Sequence, residues 1–231
     1  MKHLFFDLDR TLWDFESNSE RALEKIYHEF GLDNHLRSFR SFHTKYKKIN
    51  AEYWYLYSQG KMDKATLRVV RFRDTLRAFD YSNDQLAIEL AEAYVNFSPY
   101  QTQLFPKTIE VLNELKDNGH PMHIITNGFK EVQFIKLRES KLIDYFDVIL
   151  CSEEVGQSKP AKAVFDRALD MAGTTAEKSI MIGDSYQADI VGAENAGIKA
   201  VLFDPTREHK VGFHPYHIHA LDQLPGIIPL I

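Results

Sequence analysis

Beyond about residue 99 the chain alternates short, solid apolar runs with longer amphipathic stretches. Residues 122–125, 148–150, 179–182 and 200–203 predict buried strands. Between them, residues 106–117, a stretch from about 130, residues 160–171 and residues 186–196 predict helices, with Gly119 closing the first. Strands that alternate with helices build a parallel sheet, since each parallel pair needs a crossover. A further apolar strand, residues 3–8, has no helix–strand partner nearby and is expected to join that later sheet. Residues 16–97 carry helical period and almost no strand signal. Ala22, Leu23, Ile26, Tyr27 and Phe30 form one stripe that Gly31 ends, and Leu86, Ala87, Leu90, Ala91 and Tyr94 form another. Two more helical stretches lie around 36–57 and 63–79. The expected fold is α/β: a doubly wound, Rossmann-like parallel core of residues 1–15 and 99–231, with a four-helix bundle, residues 16–98, inserted as a cap.

In open α/β sheets ligands bind beyond the carboxyl ends of the strands, so polar residues at those ends belong together. Three clusters fall there: Asp7-Leu8-Asp9-Arg10-Thr11, Thr126-Asn127-Gly128, and Gly183-Asp184-Ser185 with Asp189. Ser158-Lys159-Pro160 adds a cation at a helix entrance, with Pro160 expected at the first helical position. Alternation points Asp7 and Asp9 the same way, and two such carboxylates repel unless a cation or a shared proton joins them. The inventory suits phosphoryl transfer to a carboxylate. Hard oxygen donors match Mg²⁺, while a rim poor in histidine and lacking thiolate argues against zinc. Lys159 offsets the charge of a phosphate dianion, and Thr126 with backbone N–H groups cradles its oxygens. Covalent attack by one Asp needs a second group to protonate the leaving oxygen and later to deprotonate water, and the paired carboxylates can divide that work.

Composition narrows the classes further. The 231 residues carry 28 basic and 33 acidic side chains, a net charge of −5, which offers no general attraction to nucleic acid polymers or anionic membranes. No apolar run approaches the roughly 20 residues a spanning helix needs. With Cys151 as the single cysteine no intrachain disulfide can form, and no basic-then-apolar leader opens the chain, so a cytoplasmic location is expected. Lys45, Lys47, Lys48 and Arg68, Arg71, Arg73 read as solvated helix faces. His209, His214, His217 and His219 read as a strand end or loop with exposed histidines in preference to a metal site.

With these motifs in hand the chain resembles the haloacid dehalogenase-like superfamily of hydrolases. FFDLDRT, IITNG, the Lys of SKP and IMIGDSYQAD match its four motifs in order, and the helical insertion matches its four-helix cap. The resemblance implies that Asp7 is the nucleophile and a Mg²⁺ ligand. It makes Asp9 the acid/base, its carbonyl also on the metal, and Asp184 the second metal carboxylate. Thr126 and Asn127 then line the phosphate pocket, Lys159 steadies nucleophile and phosphate, and Thr11, Ser185 and Asp189 support these groups from behind. Arg10 departs from the family's usual Gly or acidic residue and is expected to face outward. Asp9 favours ester hydrolysis over dehalogenation, which needs no general acid there. FFDLDRTLWDFESNS and ILCSEEVGQSKP are most similar to nucleotidases of pyrimidine and non-standard nucleoside monophosphates. The implied partner is a small phosphorylated metabolite, handled by a monomer or homodimer, with Trp13 and Phe15 as candidate specificity residues and Tyr53, Trp54, Tyr55 and Tyr57 as further rings for a base. Phosphoglycolate or sugar-phosphate phosphatase and phosphomutase are the alternatives, followed by dehalogenase and a phosphate-binding module.

Overall fold

The computed structural model describes residues 1–210 and 212–231. The chain divides into two compact units, residues 1–15 with 102–231, and residues 16–101. In chain order the elements are β1 (His3–Phe6), α1 (Phe15–Glu29), α2 (Phe39–Ser58), α3 (Lys64–Arg77), α4 (Asp84–Phe97), α5 (Thr108–Asp117), β2 (Met122–Thr126), α6 (Lys130–Glu139) and β3 (Val148–Cys151). They continue with α7 (Lys162–Ala172), β4 (Ser179–Gly183), a π-helical turn Tyr186–Val191 that runs into α8 (Gly192–Asn195), β5 (Lys199–Phe203), β6 (His217–Ile218) and α9 (Leu224–Ile227).

All strand pairs are parallel, in the order β3-β2-β1-β4-β5-β6. The N-terminal strand is central, with Leu4 in register with Met122 on one side and Ile180 on the other. Its alternation feeds two cores. Leu4 and Phe6 join Leu112, Ile124, Ile180 and Ile182 on one face, and Phe5 joins Ile125, Phe165, Met181 and Ile190 on the other. A strand covered on both faces has no polar position to spare, which explains the solid apolar run. Because the strand order reverses beside β1, the carboxyl ends of β1 and β4 border the crevice where such sheets bind ligands.

Several expected boundaries move. Helix α7 starts at Lys162 behind Ala161, so Pro160 is not its first residue, and the Lys159–Pro160 bond is cis. Strand β6 was not expected, because two residues inside a polar loop carry no periodicity. The second junction between units falls at 101/102, where 98/99 was expected, since Ser98–Tyr100 prolong the last helix as a 3-10 turn.

In the helical unit, Leu23, Ile26, Phe42, Tyr46, Phe72, Leu90 and Tyr94 share one core. Ser38, Asp63 and Asn83 cap α2, α3 and α4 by accepting from the N–H groups of Ser41, Thr66 and Leu86. Arg71 corrects the reading of its patch as solvated: it is buried, donates to Asn50 Oδ1 at 3.0 Å and stacks 4.9 Å from the Tyr94 ring centroid. Trp54 meets Tyr57 edge-on, the Tyr53 hydroxyl donates to Asp74, and Tyr55 is exposed. No helix among the described residues is long and apolar enough to cross a membrane.

His123 on β2 is buried, with its Nε2 3.0 Å from His3 Nδ1. Burial first, and the nearby His3 second, push it down to about 4. An unfolded histidine titrates near 6.5, so between these values the unfolded chain binds the extra proton. Stability is therefore full above about 6.5 and declines as pH falls toward about 4. In urea melts at pH 7 and pH 5, His123→Leu is expected to lose less stability across this interval than the parent; an equal loss would contradict the assignment.

Candidate active site

The site is built on the carboxyl ends of β1, β2 and β4. Asp7 continues the β1 ladder, its N–H donating to the Ile182 carbonyl at 2.9 Å, and by alternation it lies on the Phe5 side of the sheet. Beyond it the chain turns sharply: the N–H groups of Leu12 and Trp13 both return to the Leu8 carbonyl, and Arg10 takes φ +67°. A left-handed residue with a side chain costs about 1 kcal/mol, which is why glycine suits this position. Arg10 is exposed as expected and lies 4.2 Å from the Phe15 ring centroid.

Lys159 is the centre of the cluster. Its ammonium, 1% exposed, donates to Asp7 Oδ1 at 2.7 Å, Asp189 Oδ1 at 2.7 Å and the Ile125 carbonyl at 2.6 Å, so all three protons are used. Burial alone would lower its pKa, but the charges and hydrogen bonds of Asp189 and Asp7 overcome that and hold it above the ordinary lysine value. Asp7 responds oppositely. Burial raises it to about 7 against the pull of Lys159, with Asp189 and Asp9 adding repulsion. Asp184 also lies well above the usual carboxylate range, through burial and then the Asp7 and Asp189 charges.

The remaining expected residues fall into supporting positions. Asn127 spends both ends of its amide on Lys159, accepting from its N–H at 2.8 Å and donating to its carbonyl at 3.1 Å. It fixes the lysine's backbone, a clamping role that its expected place beside the phosphate pocket did not include. Thr126 Oγ1 accepts from Gly128 N–H and from Gln133 Nε2, each at 3.1 Å. The Thr11 hydroxyl contacts Asp184 twice, accepting from its N–H at 3.1 Å and donating to Oδ1 at 3.4 Å. Ser185 N–H donates to Asp189 Oδ2 at 3.0 Å, while its side chain caps the π-helical turn through Ala188 N–H. Trp13 is a correction too. It is fully buried in the core unit and carries the Lys136 ammonium 4.0 Å from its ring centroid, so it offers no open face to a base. Phe15, only partly buried, packs against the same cluster.

Two residues were not expected. Lys136 Nζ pairs with Asp9 Oδ1 at 2.5 Å and Gln133 Nε2 donates to Asp9 Oδ2 at 2.7 Å. Both sit on the buried face of α6, in line with Phe129 and Leu137. The readable signal was a Gln and a Lys at heptad-like spacing on an apolar stripe, where an ordinary core face would hold Leu.

Oxygens of Asp7, Asp184 and Asp189 lie within 4.8 Å of one another. Asp189 is committed to Lys159 and Ser185, which leaves Asp7 and Asp184 as the pair with capacity for a cation. An all-oxygen donor set of two mutually repelling carboxylates, Asp7 buried and Asp184 half-buried, fits a hard divalent ion such as Mg²⁺.

The family pattern of the haloacid dehalogenase-like hydrolases matches residues 4–203. The pyrimidine 5′-nucleotidase YjjG of Escherichia coli (strain K12) is 31% identical over 227 residues, covering 96% of each chain. The ribulose-1,5-bisphosphate 5-phosphatase of Halopiger xanaduensis is 33% identical over 212 residues, covering 89% of this chain and 85% of that one. Among solved structures, the HAD-hydrolase YfnB of Bacillus subtilis, bound to magnesium, superposes with a TM-score of 0.88 at 29% identity, covering 99% of this chain and 98% of that chain. The parallel sheet and the carboxylates at its rim are thus those of a hydrolase. The chain belongs to the haloacid dehalogenase-like hydrolase family.

Gly183 gives a direct check of the cluster. A Cβ there would lie 2.3 Å from Asp189 Oδ2, whereas one on Gly226 would meet nothing within 4 Å. Gly183→Ala should therefore displace Asp189 from Lys159 and cost about 1–3 kcal/mol in a denaturant melt, with a fall in turnover, while Gly226→Ala changes turnover little. Equal behaviour of the two variants would contradict this packing.

Proposed function

We propose that this chain is a Mg²⁺-dependent phosphatase that cleaves a nucleoside 5′-monophosphate, favouring pyrimidines, through a phosphoryl group carried on Asp7. The observation that carries the reading is the buried Lys159 held between Asp7 and Asp189 with Asp184 beside them, since this presents one carboxylate oxygen at the rim and supplies the cation an approaching phosphate requires. Mg²⁺ held by Asp7, Asp184 and the Asp9 carbonyl would neutralise charge on the phosphoryl oxygens. The Asp7 oxygen not bonded to Lys159 attacks phosphorus and the ester P–O bond breaks. Asp9 gives its proton to the departing oxygen, then takes one from the water that attacks phosphorus, which frees phosphate and restores Asp7. To act as an acid Asp9 must leave Lys136 and Gln133, so these two hold it between turnovers. Thr126 and the backbone around Gly128 cradle the phosphate, and the helical unit serves as the cap.

Similarity to YjjG, and to the pyrimidine 5′-nucleotidase PynA of Streptococcus pneumoniae at 29% identity, supports the nucleotide substrate. A sugar-phosphate substrate is the second reading, supported by the Halopiger relative. Asp7→Asn is expected to abolish Mg²⁺-dependent phosphate release and Asp9→Asn to lower it at least about a hundredfold; full activity in either variant would remove that residue from its role. In a panel of uridine, thymidine and purine monophosphates, ribulose bisphosphate, glyceraldehyde 3-phosphate and phosphoglycolate, the pyrimidine monophosphates should show the highest kcat/KM. A clear lead for a sugar phosphate would overturn the substrate assignment and leave the phosphatase chemistry standing.

A further inference from the structure

The sequence suggested a strand end or loop with exposed histidines near the C-terminus; His217 does lie on strand β6, but the exposure does not hold. None is fully exposed: His214 is buried, with its Nε2 3.1 Å from Glu194 Oε1, and the other three gather around Asp204. Asp204 directly follows β5 and is itself buried; His217 lies on β6, opposite Leu202, and His219 follows two residues later. His217 Nε2 is 3.2 Å and His209 Nδ1 3.4 Å from the same atom, Asp204 Oδ2. His217 and His219 have ring centroids 4.6 Å apart. One donor atom from each of Asp204, His217 and His219 lies within 4.8 Å of the other two. His209 lies outside that group of three, but its Nδ1, beside Asp204 Oδ2, is buried and makes no hydrogen bond.

We propose that Asp204, His209, His217 and His219 form a second metal site, separate from the phosphate site, that takes a divalent transition ion of the zinc type. Tetrahedral zinc with bonds of about 2.0–2.2 Å places its donors roughly 3.4 Å apart, which the 3.2 and 3.4 Å separations on Asp204 already match. Asp204 is prearranged as a ligand, because the N–H groups of Glu208 and His209 donate to its carboxylate at 3.0 and 2.9 Å and fix its orientation. The two sites sort cations by donor chemistry. Carboxylates and carbonyl suit Mg²⁺, whereas three imidazoles and one carboxylate suit zinc, nickel or copper. An ion here would tie His209 and His219 to the carboxyl end of β5 at Asp204.

The test uses untagged, metal-stripped full-length protein titrated with Co²⁺ and then with Zn²⁺. One equivalent of Co²⁺ should give the intense visible absorption of a tetrahedral site, which Zn²⁺ bleaches. Zn²⁺ bound with its concentration about a hundredfold above Kd should raise Tm by roughly 5 °C or more. Asp184→Asn should leave the absorption intact. His217→Ala and His219→Gln should each weaken binding at least tenfold, with folding verified by circular dichroism. Absence of the tetrahedral band in the parent protein would overturn the proposal. So would a band that survives in a folded histidine variant, or one that disappears in Asp184→Asn, since that would place the ion at the phosphate site. If a histidine variant does not fold, the parent spectrum and Asp184→Asn decide the matter.

Discussion

A single buried ammonium organises this molecule's chemistry. Lys159 is surrounded by Asp7, Asp189 and the Ile125 carbonyl, and its ammonium donates to all three. Deleting one partner of such a buried pair generally costs about 3–5 kcal/mol, because the other is left charged in a poor solvent. Much of the surrounding structure serves this contact. The Asn127 amide grips the lysine's backbone from both sides, Gly183 leaves room for the Asp189 carboxylate, and the Ser185 N–H holds that carboxylate's second oxygen.

The sheet explains why these groups meet although the chain separates them. Lys159 lies 152 residues from Asp7 and 30 from Asp189. Asp7 follows β1, Asp189 follows β4 and Lys159 lies in the segment after β3, and in the order β3-β2-β1-β4 the lysine reaches them past the end of β2, where it meets the Ile125 carbonyl. Charge balance then divides the rim. Lys159 compensates Asp7 and Asp189, Lys136 compensates Asp9, and Asp184 has Thr11 and the weaker pull of Arg10 and Lys159 against the stronger repulsion of Asp7 and Asp189. That surplus of negative charge is the property a divalent cation answers.

The strands, the helical insertion and the acidic clusters were legible because burial on both faces produces solid apolar runs and because carboxylates rarely follow such runs without a use. Gln133 and Lys136 escaped notice since polar residues on a helix ordinarily face water, and only the neighbouring Phe129 and Leu137 reveal that this face is buried. Trp13 was misread for a related reason. Adjacency in sequence to Asp9 says nothing about which way the ring turns, and the tight return to the Leu8 carbonyl carries it into the core. Arg71 and His214 are buried, and His209, His217 and His219 half-buried, by tertiary partners, Tyr94 and Asn50 for the arginine and Asp204 and Glu194 for the histidines, that no local pattern announces. Pro160 was assigned to a helix start two residues too early, because a proline before a helix can equally sit in the loop that delivers Lys159.

The central claim is that Asp7, steadied by Lys159, takes up the phosphoryl group itself. The most direct measurement is a rapid acid quench of the Mg²⁺-loaded enzyme during turnover of uridine 5′-monophosphate, followed by mass spectrometry of the N-terminal peptide; Asp9→Asn, which should slow hydrolysis of the adduct, is run in parallel. The account predicts a phosphoryl group on Asp7 that hydroxylamine removes. Steady turnover with Asp7 unmodified in both proteins, or a phosphoryl group on another residue, would contradict it.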